Sequence, residues 1–289
     1  ALSSSPERRR RQLQTLRESV RILPFDDESA RAAARIGAAL KKSGKPIGPM
    51  DTLIAGTAAA EPVDHRFRGY AYDLKTGAYR YTEVHRQQLD GFRWLEGSID
   101  YYDPSGRKIA AKTLDLHKDP QIPLMKLEIF KEGYVEAITD VQADRYTMLK
   151  TADGKTRTKV IMKTPGMGAD SGFHSAIVAN FDKLQKGETL SFDFGVAGQL
   201  DAYSFRCKKV GDTTFDGKPA IKLAVEPDSL LRLFVDRLDL TYEVKTRYLL
   251  EYRGVSNMHD DKTGKAFNVR IIYTDQPPKD APANLPPLQ

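Results

Sequence analysis

From His65 to Tyr273 the chain keeps returning to one pattern, a short run alternating apolar with polar residues and then a cluster of turn formers. Side chains on a strand point alternately to its two faces, so each run reads as a strand with one buried face. Residues 67–72 are followed by Lys75-Thr76-Gly77, residues 78–85 lead to Asp90-Gly91, and residues 94–102 turn at Asp103-Pro104-Ser105-Gly106 into 108–116. Asp-Gly is a tight-hairpin signal, because the turn needs positive φ. Further runs lie at 124–130, 134–141, 145–151, 156–163, 189–194, 202–210 and 220–226. A last hairpin pairs 242–253 with 267–273. About twelve strands at such short intervals predict a mainly β fold, a large antiparallel sheet or open barrel rather than alternating βαβ units.

Two helical patterns interrupt the strands. Residues 171–184 put Phe173, Ile177, Val178, Phe181 and Leu184 on one face, and residues 228–238 present Leu230, Leu231, Phe234, Val235 and Leu238. Both are expected as short helices covering the sheet. The 14 residues 276–289 hold five prolines and predict a disordered or extended tail.

The front of the chain differs. Residues 1–60 carry 11 Lys/Arg against 6 Asp/Glu, whereas the remaining 229 carry 34 against 33. The formal +6 of the whole chain therefore belongs almost entirely to this segment. All 13 Tyr and the single Trp lie from Tyr70 onward, and Phe25 is the sole aromatic among the first 60 residues. Aromatics favour strands, whereas Ala, Arg and Leu favour helices, so the shift marks a domain boundary near Glu61-Pro62. The expected units are a helical segment at 1–60, an antiparallel β domain at 61–275 and the tail at 276–289.

Within the front segment, residues 6–18 read as a polar helix rich in arginine, and Val20-Arg21-Ile22-Leu23 as a short strand stopped by Pro24. Asp26 or Asp27 caps a helix through Leu40, with Lys41 and Lys42 in its last turn and Gly44 beyond it. A second, largely apolar helix runs from Met50 to Ala60. Arg8, Arg9, Arg10 and Arg11 read first as a solvated helix face and second as an arm for nucleic-acid phosphates.

The run Ile22-Leu23-Pro24-Phe25-Asp26, the Ala-rich helix, and Gly44-Lys45-Pro46-Ile47-Gly48-Pro49-Met50-Asp51-Thr52-Leu53-Ile54-Ala55 resemble the C-terminal half of PIN-domain ribonuclease toxins of the VapC type. The resemblance covers residues 11–60 and implies metal-dependent RNA cleavage, with Asp51 at one Mg²⁺ or Mn²⁺ ligand position and RNA as partner. The rest of the acidic set is missing from the match, and such ions need several oxygen ligands. Read by itself, Asp51 is an acid favoured at a helix N-terminus.

Lys41, Lys42 and Lys45 before an apolar run and Ala58-Ala59-Ala60 also have the order of an export signal, though the run is short and contains Asp51. The β domain resembles, by pattern, cell-envelope domains of lipoprotein-carrier type, including uncharacterised ones. That likeness implies an apolar cavity, an apolar ligand or an envelope protein as partner, and a periplasmic setting. An uncleaved front segment of toxin type implies the cytoplasm instead. No run approaches the roughly 20 apolar residues of a membrane-spanning helix.

Catalytic signals in the β domain are weak, and none of these residues is assigned a catalytic role. Ser171-Gly172-Phe173-His174-Ser175 lacks the context of a hydrolase nucleophile, and His174 reads as structural. His259-Asp260-Asp261 reads as hairpin-loop chemistry, Gly166-Met167-Gly168 lacks a phosphate loop's Lys-Ser/Thr, and Cys207, the single cysteine, as a buried small residue. Tyr70, Tyr72, Tyr79, Tyr81, Trp94, Tyr101 and Tyr102 read first as cross-strand packing. Tyr70, Tyr72, Trp94 and Phe234 are the candidate ligand contacts. The expectation is a non-enzymatic β-rich binding or structural domain with no cofactor, fused to an incomplete PIN-like segment. The alternative is the Mg²⁺-dependent nuclease.

Overall fold

The computed structural model describes residues 27–58, 62–228, 237–260 and 263–288. The chain divides into two compact units, Ala1–Val63 and Asp64–Gln289.

In the first unit, α1 (Asp27–Lys42) and α2 (Pro49–Ala58) form an antiparallel helical pair where the sequence places two helices. Gly44 ends α1 at φ +74°, a conformation open to a residue without Cβ. The helices touch through small residues: a Cβ on Gly56 would come within 2.4 Å of the Ala33 Cβ. Ala32 and Ala33 are buried, whereas Met50 and Ile54 stand outward. The arginine-rich helix, the strand at 20–23 and the Asp26 cap lie outside the described residues.

The second unit is one sheet of 15 strands: β1 (Val63–Asp73), β2 (Tyr79–Asp90), β3 (Arg93–Tyr102), β4 (Lys108–Asp115), β5 (Leu124–Ile129), β6 (Tyr134–Val141), β7 (Arg145–Ala152), β8 (Lys155–Met162), β9 (Gly168–Ala169), β10 (Leu190–Val196), β11 (Asp201–Phe215), β12 (Lys218–Pro227), β13 (Leu238–Glu243), β14 (Leu249–His259) and β15 (Ala266–Tyr273). The spatial order is β8 back to β1, then β15 back to β9, so β1 and β15 lie at the centre. The first wing, β2 to β8, is an up-and-down antiparallel run. The second, β15 to β10, is antiparallel too, and only the two-residue β9 runs parallel to its neighbour. The fold is thus the mainly antiparallel, barrel-like β architecture that the alternation predicts.

The wings curl toward each other and meet through side chains. Lys159 on β8 reaches Asp201 at the start of β11 (2.8 Å), and Lys150 on β7 donates to the Gly198 carbonyl (2.6 Å). A Cβ on Gly195 of β10 would sit 2.0 Å from the Tyr146 hydroxyl of β7, so only glycine leaves room for that ring. Lys155, Arg157 and Lys159 line the outermost strand β8, charges that discourage pairing with another chain.

The helix expected at 171–184 is broken at Asn180 into α3 (Gly172–Ala179) and α4 (Phe181–Gln185). Asn180 leaves helical geometry while its side chain bonds the Ala176 carbonyl (2.9 Å). Ile177, Phe181 and Leu184 still face one way, onto a core made with Phe192, Cys207, Ile221, Leu223, Val225, Leu240 and Tyr242. Of the helix expected at 228–238, residues 229–236, Phe234 among them, lie outside the described residues, and Leu238 already belongs to β13.

The strand expected at 242–253 is two strands. Its turn carries no Gly, Pro or Asn; Arg247 takes φ +57° while its N–H and the Thr246 hydroxyl bond back to Glu243. The C-terminal tail runs through turns at 279–280 and 283–284 and is held: Tyr72 donates to Asp280 (2.8 Å), Arg68 to the Pro286 carbonyl (2.6 Å), and Asn284 to the Ser105 carbonyl (3.3 Å).

Candidate functional site

The curled sheet lines a cavity of about 1670 Å³ that is open to solvent on one side. Strand alternation decides who faces it. On β1 His65 and Phe67 point inward, and on β2 Glu83, His85 and Gln87 do. Four rings run along this wall: Tyr248 stacks on His65 (4.4 Å between centroids), His65 meets Phe67 at a tilt (4.9 Å) and Phe67 stacks on His85 (4.4 Å). Tyr273 of β15 meets Phe67 and His85 edge-on at 5.7 Å. It lies over Gly69, where a Cβ would come within 2.6 Å of the Tyr273 ring.

Glu83 and His85 are each 7% exposed, and the acid accepts hydrogen bonds from His85 Nε2 (2.8 Å) and the Tyr273 hydroxyl (3.2 Å). Nε2 is thus the His85 ring nitrogen that the acid engages. Nδ1 of His85 has no hydrogen-bond partner among the described residues, nor does His65 Nδ1.

A second polar group lies on the same cavity. Lys112 of β4 and Asp170, just before α3, form an ion pair at 2.8 Å, and Lys112 also reaches Ser171 Oγ (3.2 Å). Glu136 of β6 accepts from Tyr134, and Asn257 approaches at 3.5 Å. Burial first, then the Asp170 charge, pushes the Glu136 pKa up. His259 Nδ1 is 3.2 Å from Glu132.

Apolar wall is supplied by Phe173 of α3, Phe192 and Phe194 of β10 and Phe205 of β11. Their centroids lie 5.7 to 6.4 Å apart in mostly edge-to-face contacts. Phe192 and Phe205 are cross-strand partners, so two adjacent strands aim three of these rings into one place. Nearby His174 stacks on Tyr242 (5.7 Å), its Nδ1 3.2 Å from the Tyr242 hydroxyl. Burial, then the neighbouring His85 and His65, pulls its pKa down to about 4.

Of the candidate contacts read from sequence, Trp94 lines this cavity, 5% exposed, with its Nε1 donating to the Glu96 carbonyl (2.8 Å). Tyr70 and Tyr72 do not line it: they occupy the register of β1 opposite to His65 and Phe67, Tyr70 buried and Tyr72 bonded to the tail. Phe234 and Arg8, Arg9, Arg10 and Arg11 lie outside the described residues. Asp51 is exposed in the first turn of α2, and among the described residues no three His, Cys, Asp or Glu side chains are grouped to hold a metal ion. Asp51 thus belongs to no group of metal-ligating side chains among the described residues. Cys207 is fully buried, and burial pushes its thiol pKa up to about 12. The Glu83, His85 and Tyr273 cluster was not singled out by sequence reading; its one trace is the acid and imidazole at i, i+2 in Glu83-Val84-His85.

These features define a barrel-like antiparallel β domain with a mixed aromatic and polar interior. No family model matches the chain, and no curated protein matches it. Among solved structures, it is similar to a beta-barrel-like protein of domain of unknown function DUF1849 from Brucella abortus. The TM-score is 0.42 at 10% identity, covering 74% of this chain and 96% of that one. No helix among the described residues is long and apolar enough to cross a membrane.

Proposed function

We propose that the β unit is a non-enzymatic binding domain for an amphipathic small molecule, its apolar chain packed against Phe173, Phe192, Phe194 and Phe205. The observation that carries this reading is the cavity of about 1670 Å³ with an aromatic box on its wall. Small-molecule sites commonly measure about 300–1,000 Å³, so there is room for an extended alkyl chain as well as a head group. Half-buried Phe194 and Phe205 keep ring surface available inside the cavity, where covering it with a chain gains about 25 cal/mol per Å². An apolar or lipid-like ligand is thus preferred to a protein partner, because the apolar surface is concave and internal.

For the first unit we propose no chemistry. The PIN resemblance of residues 11–60 would need further oxygen ligands around Asp51, and none is grouped there among the described residues.

The test is titration of the full chain with N-phenyl-1-naphthylamine, a neutral apolar fluorophore. Saturable emission at one probe per chain is expected, with affinity about tenfold weaker in Phe194→Ala and Phe205→Ala, equivalent to about 1.4 kcal/mol. Absence of saturable binding, or binding that neither substitution weakens, overturns the reading.

A further inference from the structure

We propose that the cavity selects amphiphiles with a cationic, hydrogen-bond-donating head group, such as a primary ammonium, received by Glu83 and Glu136. This rests on the cavity being a ligand site and adds which ligands it takes. The argument begins with charge. Eight Asp and Glu line the cavity against three Lys and no Arg, although the chain outside its first 60 residues is almost neutral. One of those lysines, Lys112, is already held by Asp170, both side chains more than nine-tenths buried.

Three of the acids are themselves buried: Glu243 at 9% exposure, bonded by the Thr246 hydroxyl, and the two that receive the head group, Glu83 at 7% and Glu136 at 4%. Neither Glu83 nor Glu136 lies within ion-pair distance of a Lys or Arg among the described residues. The partners of Glu83 are the His85 imidazole and the Tyr273 phenol, and those of Glu136 are the Tyr134 phenol and the Asn257 amide. Burying a carboxylate is costly unless a cation or several hydrogen bonds compensate. Lys150 stands opposite Glu136 across β6 and β7 but donates to the Gly198 carbonyl, so a cation entering the cavity supplies the direct ion pair that these two acids lack with Lys and Arg. Beside Glu83, the unpartnered Nδ1 of His85 is a further buried polar atom at the same wall, and in the neutral ring it accepts from a head group that brings several N–H donors. An anionic head group would meet the acid surplus, with Lys112 held by Asp170 and Lys150 donating to the Gly198 carbonyl, so fatty acids and acidic phospholipids are disfavoured.

The experiment displaces N-phenyl-1-naphthylamine from the full chain with four ligands of one chain length: dodecylamine, dodecylglycerol, dodecanoate and dodecyl phosphate. Dodecylamine is expected to bind at least tenfold tighter than dodecanoate and dodecyl phosphate, and tighter than dodecylglycerol. Glu83→Gln and Glu136→Gln keep side-chain shape and should each cut the preference for dodecylamine over dodecylglycerol severalfold, with unchanged circular dichroism reporting an intact fold. If the fluorophore binds but dodecanoate or dodecylglycerol competes as well as the amine, the head-group proposal is overturned and the cavity reading stands. If both Gln variants retain the full amine preference, the assignment to these two acids is likewise overturned. If the fluorophore itself fails to bind saturably, both fall.

Discussion

Lys112 on β4 and Asp170 ahead of α3 form an ion pair at 2.8 Å, their side chains 3% and 6% exposed. The pair joins the first wing of the sheet to the segment that opens the second. Lys112→Met strands a buried carboxylate and is expected to destabilise the β unit by about 3–5 kcal/mol. Combining it with Asp170→Asn, which tolerates the φ of +43° at that position, should recover much of the loss. Urea unfolding followed by emission of Trp94, the single tryptophan, measures both variants. Equal stability of Lys112→Met and the parent would show that the pair contributes nothing.

Gly172 fixes the same junction by contact with backbone. A Cβ there would fall 1.9 Å from the Gln121 carbonyl oxygen, which also accepts from the Ala169 N–H at 2.8 Å. A main-chain neighbour held by its own hydrogen bond cannot move aside cheaply. Gly172→Ala should cost about 1–3 kcal/mol in the same unfolding measurement. Gly154→Ala, where a Cβ meets nothing within 4 Å, has positive φ, so its smaller cost would reflect backbone strain alone.

His174 sets an acid limit. Its pKa is held down at about 4 in the folded chain, whereas the unfolded chain takes up a proton near the ordinary 6.5. Protons then bind preferentially to the unfolded state, so stability is lost as pH falls from about 6.5 toward 4, by about 2–3 kcal/mol from this residue. His65, lowered mainly by burial, acts in the same direction. The carboxylates held low by their partners, such as Asp193 and Glu226, lose their contribution only below about 4.5. His174→Phe keeps a ring against Tyr242 and should flatten the stability profile between pH 6.5 and 4.5. An unchanged slope would contradict the assignment.

The fold was legible because alternation and turn residues are local. Asp90-Gly91 and Asp103-Pro104-Ser105-Gly106 mark their turns in the sequence and stand at strand ends in the structure, β2 to β3 and β3 to β4. The turn at Arg247 was hidden, since its geometry comes from bonds back to Glu243 and no turn-forming residue type announces it. Asn180 was hidden similarly, the apolar face continuing across the break.

Most of the cavity was not legible, for a different reason. In Tyr81-Thr82-Glu83-Val84-His85, a polar alternate normally means solvent, yet all five residues are buried. Glu83 and His85 face an interior created when the distant wings curl together, and that closure depends on pairs such as Lys159 with Asp201, far apart in sequence. Tyr70 and Tyr72 carried the stronger aromatic signal but share the other face of β1. Their neighbours His65 and Phe67, less conspicuous in the sequence, line the cavity instead.

The account turns on whether an alkyl chain enters the β unit. A crystal structure of the full chain grown with 12-bromododecan-1-ol gives the bromine position by anomalous diffraction, with no dependence on head-group charge. The predicted result is a bromine peak inside the cavity, against Phe173, Phe192, Phe194 and Phe205. A peak confined to the outer face of the sheet, or an empty cavity at saturating ligand, would contradict it.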